Sequence, residues 1–296
     1  MSDTSATSTQ PLAGDKTPLS ILAIHAHPDD ESSKGPGTIR RLADAGVRTT
    51  LVCCTGGEAG DILNPAMDRP EVVENLAEVR EAELQSAADI IGYGEVVWLG
   101  HRDSGMPDSD HNHHHESFAQ VPVDEAVRDL VEIVRRVRPQ VIVTYPEDQS
   151  RYPHPDHLKV TQISLPAWDL AGDPDAFPEL GEPWTPLKLY CTMWSRKRMV
   201  LVHEKFGELG LESPFDEKWF ERPGQDDKIT TVIEVDNSIR RRALLAHETQ
   251  IDPTSPFWFG LPDHVQDEIH PYEEFMLMRS RVETELPETD LFAGID

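Results

Sequence analysis

The sequence predicts an α/β protein whose core is a doubly wound, mostly parallel β-sheet. Short, continuous apolar runs bounded by turn-forming residues are typical of strands that are buried on both faces. These runs alternate along the chain with longer segments of helical periodicity, which is the order expected when helices cover both faces of a parallel sheet. The alternation becomes less regular after His157, so we expect a less regular C-terminal part.

A β-α-β unit opens the predicted fold. Its first strand, at 19–26, is an apolar run that ends in a turn-forming His-Pro-Asp-Asp-Glu segment. A helix at 37–45 connects it to a second strand at 48–54, which ends in the Gly-rich turn 55–58. A long helix is then expected at about 71–91, because apolar side chains recur there at helical spacing.

The same alternation predicts the middle of the chain. A short strand at 95–99 is followed by a helix at 123–137 and by a strand at 141–145, whose β-branched residues follow Pro139. The second half has shorter patterns. Its expected elements are a helix to about 171, a Pro-rich loop at 172–186, strands at 187–193 and 229–235, and helices at 197–209 and 238–250.

The chain of 296 residues is long enough to bury the core of one large domain. Residues 1–17 are rich in Ser and Thr and lack an apolar period, so we expect a disordered leader there. No linker in the remaining sequence separates two cores. We therefore predict a single domain over 18–296.

Acidic residues outnumber basic residues by 54 to 27, which gives a formal net charge of −27. Nucleic acids and anionic membranes require a cationic face on their protein partner, so the composition argues against both. There are three cysteines, and no segment reaches the roughly 18 to 20 apolar residues of a membrane span. The N-terminus also lacks a signal pattern. We expect a cytoplasmic protein, and the composition leaves its oligomeric state open.

The strongest chemical motif is Ala26-His27-Pro28-Asp29-Asp30-Glu31, directly after the first predicted strand. In an open α/β sheet, ligands bind at the carboxyl ends of the strands. One imidazole and three carboxylates within five residues concentrate negative charge, which a divalent cation would offset. A helix N-terminus is the structural alternative, but it explains one or two of the acids and not the histidine beside them.

A second motif, Tyr152-Pro153-His154-Pro155-Asp156-His157, follows the strand that ends at Tyr145. Two histidines flank an aspartate, so one imidazole could bind a metal while Asp156 orients a nitrogen of the other. Together the motifs supply His, Asp and His from two loops at one edge of the sheet. Such a set, without cysteine, suits Zn²⁺ in an open catalytic site.

Three other clusters of basic residues are assigned no catalytic role. The segment His111–His115 is rich in histidine, but no predicted strand holds it in place, so we interpret it as a solvent-exposed loop outside the active site. The triplets Arg196–Arg198 and Arg240–Arg242 are expected to be solvated faces of an acidic protein.

The two motifs carry a resemblance to a known family. The strand followed by AHPDDE at 26–31, together with HPDH at 154–157, resembles the zinc-dependent amidohydrolase family of N-acetylglucosaminyl-phosphatidylinositol de-N-acetylases and LmbE-like proteins. The resemblance implies the LmbE-like fold, a Rossmann-like α/β arrangement, and hydrolysis of an amide. Further stretches resemble the family branch that acts on mycothiol S-conjugates; they lie at 31–35, 55–58, 62–68, 247–253 and 288–295.

The same resemblance implies the metal centre and its catalytic base. The family's metal ligands fall on His27, Asp30 and His157, which would hold one Zn²⁺ per chain. Its general base falls on Asp29.

Further catalytic and binding roles are also implied by the resemblance. His154 would stabilise the oxyanion as an imidazolium or protonate the leaving amine, with Asp156 holding its tautomer, and Tyr152 would polarise the carbonyl. The substrate-binding candidates are Lys34, Glu58, Arg80 and Asp103, of which the last three would contact sugar and inositol hydroxyls.

The main functional prediction is a zinc amidase with a small-molecule mycothiol S-conjugate as substrate. It would hydrolyse the amide between glucosamine and S-substituted N-acetylcysteine, releasing a mercapturic acid and glucosaminyl-inositol in thiol-based detoxification. The closest alternative is the same chemistry on an N-acetyl group, as in N-acetylglucosaminyl-inositol; Lys34 and the segment 62–68 favour the amidase. The alternative of another class is a non-catalytic sugar- or metal-binding protein on the same fold, against which Asp29 and His154 argue.

Overall fold

Seven strands in the described residues form one sheet. In chain order they are β1 (Ser20–His25), β2 (Arg48–Thr55), β3 (Glu95–His101), β4 (Val141–Thr144), β5 (Lys188–Met193), β6 (Thr231–Glu234) and β7 (Tyr272–Ser280). Their order across the sheet is β3-β2-β1-β4-β5-β7-β6. Strands β1 to β5 pair in parallel, whereas β7 is antiparallel to both of its neighbours. The predicted mostly parallel α/β class is confirmed.

The structure is a computed structural model that describes residues 18–150, 152–221 and 223–295. The predicted leader at 1–17 lies outside the described residues. In the part described, no helix is long and apolar enough to cross a membrane. The helices are α1 (Asp30–Ser33), α2 (Pro36–Asp44), α3 (Pro70–Glu74), α4 (Leu76–Ile91), α5 (Val123–Val137), α6 (Pro155–Leu170), α7 (Arg196–Glu208), α8 (Glu217–Glu221), α9 (Ser238–Ala246), α10 (Pro256–Phe259) and α11 (Asp263–Glu268).

The sheet is buried on both faces, as the continuous apolar runs predict. Successive side chains of a strand point to opposite faces, so Leu22 and Ile24 of β1 enter one core while Ile21 and Ala23 enter the other. Residues of α5 and α6 pack in the first core, and residues of α2, α4 and α9 pack in the second. Helices on both faces make the sheet doubly wound.

Among the elements that differ from the prediction are α4, α9 and β7. The long helix expected at 71–91 is divided at Asn75 into α3 and α4, because Asn75 has φ −122° and ψ 29°, outside the helical range. Helix α9 ends at Ala246, four residues before the predicted end at 250, so the segment 247–250 is not helical. Strand β7 was not predicted because Glu273 and Glu274 interrupt its apolar pattern; both are buried and paired.

The prediction that Arg240–Arg242 form a solvated face is wrong for Arg240. Arg240 is buried and forms an ion pair with Glu273 at 2.8 Å. The Glu273 carboxylate also accepts hydrogen bonds from the backbone N–H groups of Gly37 and Thr38, at the start of α2. An acid that is buried at a helix N-terminus needs such donors, and the arginine supplies its counter-charge.

The C-terminal segment packs against the antiparallel side of the sheet through Glu288. Its carboxylate is fully buried and accepts hydrogen bonds from Lys188 of β5, from Tyr190 at 2.7 Å and from Thr231 at 2.8 Å. Burial alone would raise the pKa of Glu288, but the hydrogen bond from Lys188 lowers it below its usual 4.5. The segment 288–295, which supports the resemblance, therefore has a structural role.

We expect Glu288→Gln to lower the free energy of unfolding by about 3–5 kcal/mol at neutral pH, because it leaves Lys188 buried without its counter-charge. The pKa of Glu288 is lowered in the folded state, so its stabilisation is present above pH 4.5 and is lost as the pH falls below that value. Urea unfolding of both proteins between pH 7 and pH 3.5 tests this. A gap that stays constant or widens toward acid pH would contradict it.

Candidate active site

The two predicted motifs meet at the carboxyl edge of the parallel strands. The loop after β1 carries His27, Asp29 and Asp30, and the loop and helix after β4 carry His154 and His157. Because β1 and β4 are neighbours, their following loops are brought together. The loop after β3 adds Asp103 from the other side of β2.

The three predicted metal ligands form one buried group. Atoms of His27, Asp30 and His157 that could bind a metal lie within 4.8 Å of one another. The Asp30 Oδ2 atom is 3.5 Å from His27 Nδ1 and 3.3 Å from His157 Nε2. Burial would raise the pKa of Asp30, but the charges of His157 and Lys34 hold it well below its usual value.

The charge around His27 fits a cation. Besides Asp30, its Nε2 atom faces Asp156 Oδ2 at 3.2 Å and Asp103 Oδ1 at 3.5 Å. Burial would lower the pKa of His27, but hydrogen bonds with Asp103, Asp156 and Asp30 raise it well above 6.5. Three carboxylates around one imidazole are a donor set for a borderline divalent metal. His27, Asp103, His154 and Asp156 form a second group of possible ligands.

Asp29 lies beside this group in a strained backbone conformation. Its φ is +105°, a left-handed value that is rare for residues other than glycine. Its N–H donates to Glu31 Oε2 at 2.9 Å, and Arg80 lies 3.4 Å from its carboxylate. Burial raises the pKa of Asp29, and the charge of Arg80 opposes this rise. A carboxylate of raised pKa at the cleft is suited to accept a proton.

The tautomer of His154 is set by a different group from the one expected. The backbone N–H of Asp156 donates to His154 Nδ1 at 3.2 Å, because His154 is the N-cap of α6. Its Nδ1 atom is therefore an acceptor, and the neutral ring carries its proton on Nε2. The Asp156 carboxylate instead accepts hydrogen bonds from Ser104 and lies beside His27.

The surroundings of His154 favour a neutral ring over the expected imidazolium. Burial, followed by the charge of His27, lowers the pKa of His154. The ring is therefore mainly neutral at pH 7. Its Nε2–H group remains a hydrogen-bond donor in this state.

Arg80 is a buried structural link and not a surface charge. Its guanidinium donates to the carbonyl oxygens of Gly57 and Pro28 and contacts Asp29. It thereby joins the loops after β1 and β2. Gly57 has φ +68°, and a side chain there would clash with the Arg80 guanidinium. Glycine is therefore required for this contact.

The other substrate-binding candidates take part in local hydrogen bonds. Asp103 accepts from the N–H groups of Gly105 at 2.8 Å and Ala59 at 3.2 Å, while Glu58 accepts from the Asp103 N–H at 3.0 Å. Lys34 forms an ion pair with Asp30. Their contacts with substrate stay predictions.

Tyr152 is the most exposed of the predicted catalytic residues, at 52%. Its ring centre is 5.2 Å from that of His157 and 6.0 Å from that of His154. Tyr152 lines the cleft, and within the described residues its hydroxyl has no hydrogen bond.

An open cleft of about 270 Å³ gives access to the site. Most of the predicted residues line it: His27, Asp29, Asp30, Arg80, Asp103, Tyr152, His154 and His157. The segment His111–His115 forms an exposed turn that does not line this cleft, as expected.

The sequence analysis missed the residues that support the site from the segment 247–250. His247 Nε2 pairs with Glu31 at 2.7 Å, Thr249 binds Glu83, and Gln250 lines the cleft. Burial would lower the pKa of His247, but the charge of Glu31 raises it. The resemblance at 247–253 was the one signal in the sequence for these residues. It was not used, because residues 247–250 were assigned to the end of a predicted helix.

The cleft holds a carboxylate beside a buried His-Asp-His group, and relatives of this chain are named amidases and deacetylases, so the protein is a hydrolase that acts on amide bonds. The chain belongs to the GlcNAc-PI de-N-acetylase (PIG-L) family, whose model matches residues 22–168. It is 43% identical to the mycothiol S-conjugate amidase of Streptomyces coelicolor, over 94% of this chain and 97% of that protein. It is 36% identical to the 1D-myo-inositol 2-acetamido-2-deoxy-alpha-D-glucopyranoside deacetylase of Streptomyces avermitilis, over 93% and 97%.

Solved structures share the fold at low sequence identity. The N,N'-diacetylchitobiose deacetylase from Pyrococcus horikoshii is 18% identical with a TM-score of 0.59, over 88% of this chain and 84% of that one. The 4-carboxy-2-hydroxymuconate hydratase GalB from Pseudomonas putida is 17% identical with a TM-score of 0.55, over 90% and 99%. The fold is thus shared by proteins named for different reactions.

We expect Arg80→Met to lower kcat by at least about tenfold, because Asp29 and the two loops lose their common cation. Arg80→Lys should recover part of the rate, since it keeps the charge but not the forked hydrogen bonds. Steady-state kinetics on an amide substrate measures this effect. A rise in KM with unchanged kcat would contradict it and favour a simple substrate contact.

Proposed function

We propose that this protein hydrolyses the amide between glucosamine and S-substituted N-acetylcysteine in mycothiol S-conjugates. The observation that carries the proposal is the buried group of His27, Asp30 and His157 with Asp29 beside it. The 43% identity to a protein named mycothiol S-conjugate amidase supports this substrate class. The products are a mercapturic acid and glucosaminyl-inositol, which fits a role in thiol-based detoxification.

We propose that His27, Asp30 and His157 hold one Zn²⁺. Two imidazoles and one carboxylate, without a thiolate, are a common donor set of catalytic zinc sites. When bound, zinc supplies a Lewis acid that polarises the carbonyl and lowers the pKa of water.

The residues of the chain then have separate tasks in the proposed reaction. Asp29 accepts a proton from the attacking water, which its raised pKa favours. The Nε2–H group of His154 donates a hydrogen bond to the carbonyl oxygen as negative charge develops there. One such donor contributes roughly 3–4 kcal/mol when it is preorganised. Tyr152 is a second donor on the open side of the cleft, and the proton held by Asp29 returns to the leaving amine.

Arg80, Asp103 and Glu58 hold the loops on the side of the cleft where we propose that the sugar and inositol bind. Arg80 and Asp103 line the cleft, whereas Glu58 supports Asp103 through its backbone N–H. Binding energy from the remote inositol would align the amide with Asp29, so truncated substrates should react more slowly.

An N-deacetylase is the second candidate, because the same residues perform the same chemistry on an acetyl group. Relatives at 36% identity carry the name of a deacetylase of an inositol N-acetylglucosaminide. The two candidates differ only in the acyl group that the site must accept.

The substrate is tested by comparing kcat/KM for a mycothiol S-conjugate, its des-inositol analogue and N-acetylglucosaminyl-inositol. We expect the full S-conjugate to be preferred and removal of inositol to lower kcat as well as affinity. Preference for the N-acetyl sugar would replace the amidase by the deacetylase.

A matched pair of variants separates metal binding from proton transfer. We expect His157→Ala to lose most of its metal after mild chelation, and Asp29→Asn to keep its metal while its rate falls by roughly 10²-fold or more. Elemental analysis and initial rates measure the two effects, with His113→Ala as the control from the exposed turn. Full metal content in His157→Ala would overturn the ligand assignment, and normal turnover by Asp29→Asn would remove the base.

A further inference from the structure

A second cavity lies at the same edge of the sheet and has no part in the chemistry described above. It begins where Trp194 follows the end of β5, and it is enclosed by parts of α7, α9 and α10. Trp194 stacks on Phe257 at 6.2 Å between ring centres and meets Trp258 edge-on at 5.9 Å. The apolar wall consists of Trp194, Phe206, Phe215, Phe257, Trp258 and Leu261.

One cation of this aromatic pocket forms no ion pair within the described residues, although Glu273 and Glu274 line a neighbouring cavity with it. The guanidinium of Arg198 lies 4.7 Å from the centre of the Trp194 ring, and its side chain has no hydrogen bond or ion pair within the described residues. Arg240 and Arg241, by contrast, are paired with Glu273 and Asp267. A guanidinium free to donate beside stacked aromatic rings suits a ligand with an apolar body and a hydrogen-bond acceptor.

The aromatic pocket is connected to the surroundings of the metal ligands. Trp194 and Arg198 also line a narrow cavity whose other wall contains Ser33 and Lys34. Lys34 in turn binds Asp30, one of the proposed ligands. A narrow cavity therefore lies between the centre of the site and the aromatic rings.

The strand order explains this placement. Strand β5 is two positions from β1, on the side opposite to β2 and β3. With about 4.8 Å between neighbouring strands, the ends of β1 and β5 are roughly 10 Å apart. Arg80 and Asp103 lie on the β2–β3 side of the site, which we call the polar wing. The aromatic pocket lies on the β5 side, which we call the aromatic wing.

We infer that the aromatic pocket binds the acyl half of the substrate, in particular the apolar group carried on the cysteine sulfur. This inference rests on the proposed function. With the amide at Asp29 and the sugar on the polar wing, the acyl half extends toward β5. Arg198 then meets the acceptor atoms of that half, such as the N-acetyl carbonyl. Stacked rings provide a broad surface that accepts S-linked groups of different shapes.

The test uses two mycothiol S-conjugates that differ only on sulfur, S-methyl and S-benzyl. Phe257, which is 38% exposed, can be shortened without opening the core. We expect Phe257→Ala to lower the benzyl-over-methyl ratio of kcat/KM by about tenfold, mainly through KM. Arg198→Met should raise KM for both conjugates. Lys197→Met and Leu209→Ala, which alter residues outside the pocket lining, should keep the wild-type ratio.

The outcomes distinguish the inference from the proposed function. Hydrolysis of both conjugates with an unchanged ratio in Phe257→Ala would overturn the pocket and leave the amidase standing. If the wild-type protein hydrolyses neither conjugate, the proposed amidase function is overturned. The pocket would then still be supported if N-acetyl-S-benzylcysteine quenches the tryptophan fluorescence of the wild type but not of Phe257→Ala. A dimer in sedimentation that Phe257→Ala dissociates would assign the rings to a second copy of the chain and overturn the inference.

Discussion

The burial of negative charge around His27 is the constraint on which the rest of the site depends. Three aspartates face one imidazole in a place that water hardly reaches. Carboxylates in such a place repel one another unless cations or hydrogen-bond donors offset their charge. The surrounding structure supplies these donors one by one: Lys34 for Asp30, Ser104 for Asp156, and backbone N–H groups for Asp103.

This need for compensation explains why distant parts of the chain converge on one edge of the sheet. Glu31 pairs with His247, which directly follows α9, and Glu83 accepts a hydrogen bond from Thr249 of the same segment. These bonds hold the segment 247–250 against the cleft, although it follows the least regular part of the fold. The order of the strands brings the loops together, and the buried acids then determine which side chains complete the site.

Much of this arrangement could be predicted from the sequence because it is local. The strands from β1 to β5 follow from apolar runs, and the placement of His27 and His154 follows from the strand that each motif succeeds. The long-range pairs could not be predicted in this way. The burial of Arg240 depends on Glu273, which lies on a strand whose apolar pattern is broken by that same glutamate. Each residue of such a pair resembles surface charge until its partner is known.

The tautomer of His154 shows a second limit of prediction from sequence. Sequence spacing placed an aspartate two residues after the histidine, and a side-chain hydrogen bond was the natural expectation. Helix capping instead gives the same nitrogen a backbone partner, which leaves the carboxylate available to the group around His27. A motif fixes which residues are near one another, but the helix start decides which atoms meet.

The left-handed backbone at Asp29 limits what evolution can place there. At φ +105°, glycine, asparagine and aspartate are the residues that a chain accommodates with least strain. Of these, only aspartate carries a carboxylate. In the proposed mechanism, replacement of Asp29 by glycine or asparagine would preserve the fold and the buried His-Asp-His group while removing the proton acceptor. In that mechanism, one substitution would convert the hydrolase into a protein that only binds its ligand.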